Sequence, residues 1–250
     1  RLYPRTTSQQ TALVAVNDFA AAAELLVRLQ RDLDGSLSAF EAMWESYVRQ
    51  QVDSGRHRAP FERSYPLYVL AEAAGVHPEA DAARFAEALE SALSDGLIAD
   101  ALIAQSDRER HDLWGLREDL EAIVGVTPTF LYDVSLPIAA MPGYLASVEA
   151  GVRERFPAGR CPAMGHVADG NLHLFVQPHE ATASQQSSDE IVYGPLADLG
   201  GSVSAEHGIG FEKKRWLGHS RSKTEIRLML DLKRTLDPTG ILNPGCIFDG

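Results

Sequence analysis

Segments with the pattern of strands alternate with segments with the pattern of helices along the chain, and this alternation constrains the fold most strongly. In the first half, strand patterns cover residues 11–16, 37–43, 67–73 and 97–103, and helical patterns cover 19–33, 44–51, 79–93 and 107–123. The order strand, helix, strand thus occurs twice. It predicts an α/β (α+β) fold with an antiparallel or mixed sheet and helices mainly on one face.

The second half continues the alternation without a credible break between domains. Strand patterns cover residues 130–135, 161–167, 171–177 and 201–205, and helical patterns cover 141–156, 191–199 and 224–236. We therefore expect one domain over residues 11–235, with residues 1–10 as a linker that enters it. Pro238 ends the last helix. Residues 236–250 have no regular period and should form a C-terminal tail.

Composition excludes several functions. The net charge of −12 argues against a nucleic-acid partner, because binding the phosphate backbone needs a basic face. No apolar run approaches the ~20 residues that span a bilayer, and no signal peptide opens the sequence. Cys161 and Cys246 lie far apart, without metal-type spacing. We therefore predict a reduced, cytoplasmic protein.

Residues 165–173, with the sequence Gly-His-Val-Ala-Asp-Gly-Asn-Leu-His, contain a turn signal between two apolar-bearing runs. Asp-Gly at this place predicts a two-residue β-hairpin turn. Counting outward from the turn places His166 opposite His173, and Asn171 on the same face. Two imidazoles so placed could share one metal ion. The competing interpretation is a pair of histidines that only form hydrogen bonds within a sheet.

A second segment, Ser-Ala-Glu-His-Gly-Ile-Gly at 204–210, places Glu206 and His207 at the end of a predicted strand. Its glycines let the backbone approach a ligand closely. His166, His173 and Glu206 would then hold a divalent ion, with Zn²⁺ favoured and Mn²⁺, Fe²⁺ or Co²⁺ also suited. His207 would lie beside the ion as a general base. An exposed polar turn is the alternative.

Five motifs, in this order, link the chain to a known family. They are Leu-Trp-Gly-Leu-Arg-Glu at 113–118, Asp-Val-Ser-Leu-Pro at 133–137, the segments 165–173 and 204–210, and Leu-Asp-Pro-Thr-Gly-Ile-Leu-Asn-Pro-Gly at 236–245. Together they resemble the C-terminal domain of FAD-linked oxidases, a group that includes D-lactate dehydrogenase, D-2-hydroxyglutarate dehydrogenase and the FAD subunit of glycolate oxidase. The resemblance covers essentially the whole chain.

The resemblance implies a substrate- and metal-binding domain that caps an FAD held mainly by a missing N-terminal domain of the same polypeptide. Residues 1–10 resemble the segment that leads out of that domain, and no Gly-rich phosphate-binding loop is found in this chain. The partners implied are a small 2-hydroxy acid and an electron acceptor. A homodimer is an open alternative for the assembly.

The family's site residues carry over onto the same positions that the spacing selects. The metal ligands correspond to His166, His173 and Glu206, and the base corresponds to His207. Arg117 corresponds to an arginine that binds the substrate carboxylate, although a helix-surface arginine is the simpler interpretation of that position alone. Asn171 is expected to contact substrate. Asn243 lies in the tail that returns toward the flavin in relatives, so it is assigned to cofactor binding.

Two positions depart from the family pattern. Ala168 replaces a usual glycine, which adds a methyl group on the histidine face. Leu131 stands where some relatives that act on dicarboxylic hydroxy acids carry lysine. This difference favours a simpler or more apolar 2-hydroxy acid over 2-hydroxyglutarate.

The expected reaction converts a 2-hydroxy acid to a 2-oxo acid, with hydride transfer to flavin. A metallohydrolase that uses the same histidines and glutamate to activate water is one alternative. A non-catalytic cap fragment that binds metal or a partner domain is another.

Overall fold

One antiparallel sheet organises the protein in the computed structural model, which describes residues 5–248. Its strands are β1 (Ser8–Val16), β2 (Leu37–Trp44), β3 (Leu67–Gly75), β4 (Asp100–Ile103), β5 (Phe130–Ser135), β6 (Ala163–His166) and β7 (Asn171–Val176). The spatial order of the seven is β4-β1-β3-β2-β6-β7-β5, and each neighbouring pair is antiparallel. The predicted fold class is confirmed.

Helices follow most strands in the described part of the chain. They are α1 (Phe19–Asp32), α2 (Glu45–Asp53), α3 (Pro78–Ser94), α4 (Asp107–Glu118), α5 (Glu121–Val124), α6 (Met141–Arg155), α7 (Gln186–Tyr193), α8 (Leu217–Ser220) and α9 (Lys223–Leu236). Within residues 5–248, no helix has both the length and the apolar character needed to cross a membrane.

The two faces of the sheet are covered unequally. Because successive strand residues point to opposite faces, Val14 packs into one hydrophobic core and Leu13 into another. The long helices α1, α3 and α6 contribute Leu25, Phe85 and Val148 to the larger core. Helices α2, α4 and α5 pack on the second face and cover only part of it. This arrangement agrees with the predicted placement of helices mainly on one face and leaves room for a cleft on the other.

Some predicted element boundaries are wrong. The predicted helix 107–123 is interrupted between α4 and α5, because the amide of the buried Gln51 donates a hydrogen bond to the Asp119 carbonyl there. The predicted strand 201–205 is reduced to one bridge between Ser202 and Ser135. It ends at once because the N–H of Val203 bonds to a side-chain hydroxyl of α8 instead. The alternation of residue types over residues 201–205 is therefore not enough to form a strand there.

Both ends of the described chain are more ordered than the sequence analysis predicted. Strand β1 begins at Ser8, so residues 8–10 of the predicted linker belong to the sheet. Residues 1–4 of that linker and residues 249–250 of the tail lie outside the described residues. The tail after α9 is folded around the carboxylate of Asp237, which accepts hydrogen bonds from the N–H groups of Ile241 and Leu242 at 3.0 Å each.

Candidate metal and substrate site

A cleft of about 900 Å³ opens on the second face of the sheet, where β2, β6 and β7 meet α4 and the loop after residue 203. Its lining includes Arg117, His166, His173, Glu206 and His207. These residues come from α4, from two neighbouring strands and from a loop, so only the folded chain brings them together. The cleft thus contains the predicted metal ligands, the predicted base and the predicted carboxylate-binding arginine.

The connection between β6 and β7 differs from the predicted two-residue turn. Residues 167–169 form a turn of 3₁₀ helix, and Gly170 follows in the left-handed region with φ of 76°. The observed register pairs Met164, not His166, with His173. The predicted direct pairing of the two histidines is therefore wrong.

The two histidines nevertheless share a face of the sheet. His166 lies two residues beyond Met164, the cross-strand partner of His173, so the two imidazoles are diagonal neighbours. Their ring centroids are 5.4 Å apart. Gly165 permits this close pairing, because a Cβ atom at that position would lie 2.2 Å from the Asn171 carbonyl oxygen.

Asp133 positions the loop that carries Glu206 and His207. One of its carboxylate oxygens, Oδ2, accepts hydrogen bonds from the backbone N–H groups of both residues at 2.9 Å and from the Ser204 hydroxyl at 3.2 Å. Burial raises the pKa of Asp133, but these backbone donors and the charge of Lys213 outweigh it, so its net pKa is lowered. The Asp133 carboxylate is therefore a buried anion that caps this loop by accepting hydrogen bonds from its backbone and from Ser204.

The three predicted metal ligands converge in the folded chain. Glu206 Oε1 lies 3.4 Å from His166 Nε2, and Glu206 Oε2 lies 3.9 Å from His173 Nε2. One potential ligand atom from each residue lies within 4.8 Å of the other two. Burial, followed by the charge of Arg117, lowers the pKa of His173. A neutral ring with a free lone pair is the form that binds metal.

Glu41 is a functional candidate that the sequence analysis missed. Its buried carboxylate accepts from His166 Nδ1 at 2.6 Å and from Arg117 Nε at 3.1 Å, and Arg117 Nη2 lies 3.2 Å from His166 Nε2. This arrangement fixes the imidazole with its proton on Nδ1. The hydrogen bond to Glu41 also raises the pKa of His166. The available signal was an acidic residue within the otherwise apolar run of residues 39–44.

The remaining predicted residues differ in their access to the cleft. The side chain of His207 is 55% exposed, and its Nδ1 lies 3.9 Å from Asp133 Oδ2. Asn171 is buried at 3% exposure, and neither polar atom of its amide has a hydrogen-bond partner within the described residues. Asn243 is exposed in the tail, with φ of 47°. Neither asparagine lines the cleft, so their assigned contacts stay predictions.

Comparisons with known proteins agree on one family. Residues 5–247 match the model described as FAD linked oxidases, C-terminal domain. The D-2-hydroxyglutarate dehydrogenase of Xanthomonas citri pv. viticola is 38% identical over 85% of this chain and 46% of that protein. The mitochondrial D-2-hydroxyglutarate dehydrogenase of Rattus norvegicus is 35% identical over 96% of this chain and 45% of that protein. The chain thus spans about half the length of these relatives.

Solved structures agree with the fold. A crystal structure of p-cresol methylhydroxylase with substrate bound has a TM-score of 0.69 at 13% identity. The match covers 98% of this chain and 54% of the p-cresol methylhydroxylase chain. The 4-ethylphenol oxidase of Gulosibacter chungangensis has a TM-score of 0.64 at 16% identity. The match covers 99% of this chain and 55% of the oxidase chain. Such low identities show the fold alone. With the family match over residues 5–247, the chain belongs to the C-terminal domain family of FAD linked oxidases.

Proposed function

We propose that this chain forms the substrate- and metal-binding part of an FAD-dependent dehydrogenase that converts a 2-hydroxy acid to a 2-oxo acid. The observation that carries the proposal is the convergence of Arg117 with His166, His173 and Glu206 in one cleft. The relatives named above are dehydrogenases of a D-2-hydroxy acid. Their names support redox chemistry on the D enantiomer over the metallohydrolase alternative.

The residues present fit a divalent cation. Two imidazole nitrogens and one carboxylate oxygen, from His166, His173 and Glu206, are a donor set suited to Zn²⁺ and also to Mn²⁺, Fe²⁺ or Co²⁺. Glu41 holds Nδ1 of His166, as carboxylates hold the second nitrogen of metal-bound histidines. Nε2, which lies 3.2 Å from Arg117 Nη2 and 3.4 Å from Glu206 Oε1, is the nitrogen that would bind the cation in place of the Arg117 contact. The chemistry that a bound cation would supply is a lower pKa of the substrate hydroxyl.

Arg117 and His207 have separate tasks in the proposed reaction. The guanidinium of Arg117 binds the substrate carboxylate and so limits the substrate to one orientation. Asp133 lies toward Nδ1 of His207, which leaves Nε2 of that ring to accept the hydroxyl proton as the α-hydride departs. FAD, bound mainly by an FAD-binding domain of the same polypeptide, would supply the hydride acceptor, and a separate electron acceptor would reoxidise it.

Anaerobic mixing of the purified protein, with its FAD-binding domain, and D-2-hydroxy acids tests this function. We expect the flavin absorbance to bleach and one equivalent of 2-oxo acid to form. Hydrolysis by a protein without flavin bands would instead support the metallohydrolase. A protein that reacts with neither class of substrate would support a non-catalytic binding module.

A cytoplasmic location and a homodimer are further proposals. Both Cys161 and Cys246 are free thiols in the structure, which supports a reducing compartment. Light scattering of the purified protein measures the assembly, and a monomeric mass would exclude the homodimer.

A further inference from the structure

We infer that Tyr47 of α2 is a positioning residue for Arg117, with Gln51 beside it on the same helix as its support. Both side chains are fully buried at 0% exposure, and neither lines the cleft. Their polar groups meet the backbone of α4 at its C-terminal end, where Arg117 is the second-to-last residue. This role rests on the proposed function, because it concerns how the fold holds the group that binds the substrate carboxylate.

The capping of α4 carries this role. The last turn of a helix leaves carbonyl groups without donors from the same helix. In α4, the hydroxyl of Tyr47 donates a hydrogen bond to the Arg117 carbonyl at 2.8 Å. The amide nitrogen of Gln51 lies 3.3 Å from the Leu116 carbonyl oxygen and donates to the Asp119 carbonyl. Two buried side chains of α2 therefore cap the end of α4 at Arg117 and around it.

Packing fixes the direction of the Tyr47 hydroxyl. The ring of Tyr47 packs against that of Phe175, with 5.9 Å between the centroids, and Phe175 lies two residues beyond His173 on β7. Gln51 Nε2 donates to the Tyr47 oxygen at 3.3 Å. Burial raises the pKa of Tyr47 to about 12, so the hydroxyl keeps its proton and remains a donor near neutral pH. Tyr47 thus ties the backbone of Arg117 to the strand that carries a proposed metal ligand.

Arg117 is held at two points as a result. The Glu41 carboxylate accepts from its guanidinium Nε at 3.1 Å, and Tyr47 holds its backbone carbonyl at 2.8 Å. A long side chain transmits a shift of its own backbone to its charged end, so the position of the guanidinium depends on both contacts. Without the Tyr47 hydroxyl, the arrangement that binds a carboxylate is less populated. The apparent substrate dissociation constant then rises as that population falls.

Tyr47→Phe tests the inference in the protein with its FAD-binding domain, because it removes only the hydroxyl. The rate of flavin reduction at increasing concentrations of a D-2-hydroxy acid gives the substrate Kd and the limiting rate separately. We expect Kd to rise about fivefold, the factor by which one net hydrogen bond changes an equilibrium constant. The limiting rate should fall less than about twofold, because saturating substrate selects the competent arrangement.

Tyr144→Phe is the matched control. Tyr144 is also buried, at 2% exposure, and its hydroxyl donates to the Val192 carbonyl at 2.9 Å within the larger core, away from the cleft. Both variants lose one hydrogen bond to a backbone carbonyl, so both should lower the urea midpoint of unfolding by similar amounts. Only Tyr47→Phe should raise the substrate Kd. Zn²⁺ affinity should change less than about twofold in either variant, because neither hydroxyl contacts a proposed metal ligand.

A double-mutant cycle tests whether Tyr47 acts through Arg117. In an Arg117→Gln background no guanidinium remains to be positioned, so Tyr47→Phe should change kcat/KM for flavin reduction less than about twofold. A Kd that Tyr47→Phe raises no more than Tyr144→Phe does, or an undiminished effect in the Arg117→Gln background, would overturn the inference and leave the dehydrogenase intact. No flavin reduction by the parent protein with any D-2-hydroxy acid would overturn the proposed function and, with it, the role of Tyr47.

Discussion

Replacement of Glu41 by glutamine is the most informative single change in the site. The carboxylate now accepts two charge-assisted hydrogen bonds, from His166 Nδ1 and from Arg117 Nε. Glutamine has the same shape but only one oxygen, so its NH₂ group must face one of these two donors. The variant therefore loses at least one hydrogen bond in which the charged Glu41 carboxylate was the acceptor, which is worth about 1.5–3 kcal/mol.

This loss predicts an effect on metal affinity. If the whole cost of about 1.5–3 kcal/mol fell on the metal-bound state, the dissociation constant would rise roughly 10- to 150-fold. Changes to residues that orient metal-bound histidines cost about 10- to 100-fold in metal affinity. Titration of the protein with Zn²⁺ in competition with a chelator measures the constant. We expect Glu41→Gln to weaken binding by at least about tenfold at an unchanged stoichiometry.

Glu118→Gln is the matched control for this measurement. Glu118 is an exposed carboxylate that lines the same cleft, so the variant makes the same change in net charge. We expect its Zn²⁺ affinity to change less than about threefold, in line with the small effect of an exposed charge. If a folded Glu41→Gln protein bound Zn²⁺ as tightly as the control, Glu41 would not position the ligands.

Three further changes test other parts of the structure. His207→Gln should lower kcat by about 10²- to 10⁴-fold and leave Zn²⁺ content unchanged; steady-state kinetics with an unaltered kcat would remove His207 as the base. Asp133→Asn should loosen the loop of Glu206, with about 1.5–3 kcal/mol less stability in urea unfolding and weaker Zn²⁺ binding; unchanged values of both would refute the capping role. The hydrogen bond to Lys233 lowers the pKa of Asp237, so its contribution to stability is present above the unfolded value of about 3.9 and is lost as pH falls through the lower folded value. Asp237→Asn should therefore be less stable than the parent protein at pH 6, and the difference should shrink below pH 4; a difference that stayed constant from pH 6 to pH 2 would contradict this linkage.

Local signals in the sequence predicted much of the fold because they act over a few residues. Asp18 accepts a hydrogen bond from Ala21 N at 2.8 Å and starts α1 at the predicted residue. Strand β5 has the predicted bounds. Other bounds depend on distant partners, such as Gln51, which lies more than 60 residues from the backbone that it holds between α4 and α5.

The candidate site was predictable in its residue types but not in its geometry. Asp-Gly before Asn171 favours a two-residue turn, yet the structure has a longer turn, closed by a hydrogen bond from Gly170 N to the Val167 carbonyl at 3.1 Å. His166 and His173 meet in either register, because a shift by two residues keeps a side chain on its face. Glu41 could not be found by spacing, since 125 positions separate it from His166.

The rate of flavin reduction before and after metal removal tests the central claim most directly. The protein with its FAD-binding domain would be treated with a chelator, mixed anaerobically with a D-2-hydroxy acid and then supplied with Zn²⁺. Because His166, His173 and Glu206 are proposed to hold the ion next to the substrate, we predict that the rate falls by at least about 100-fold and recovers with Zn²⁺. Reduction at the full rate in a metal-free protein would contradict the account.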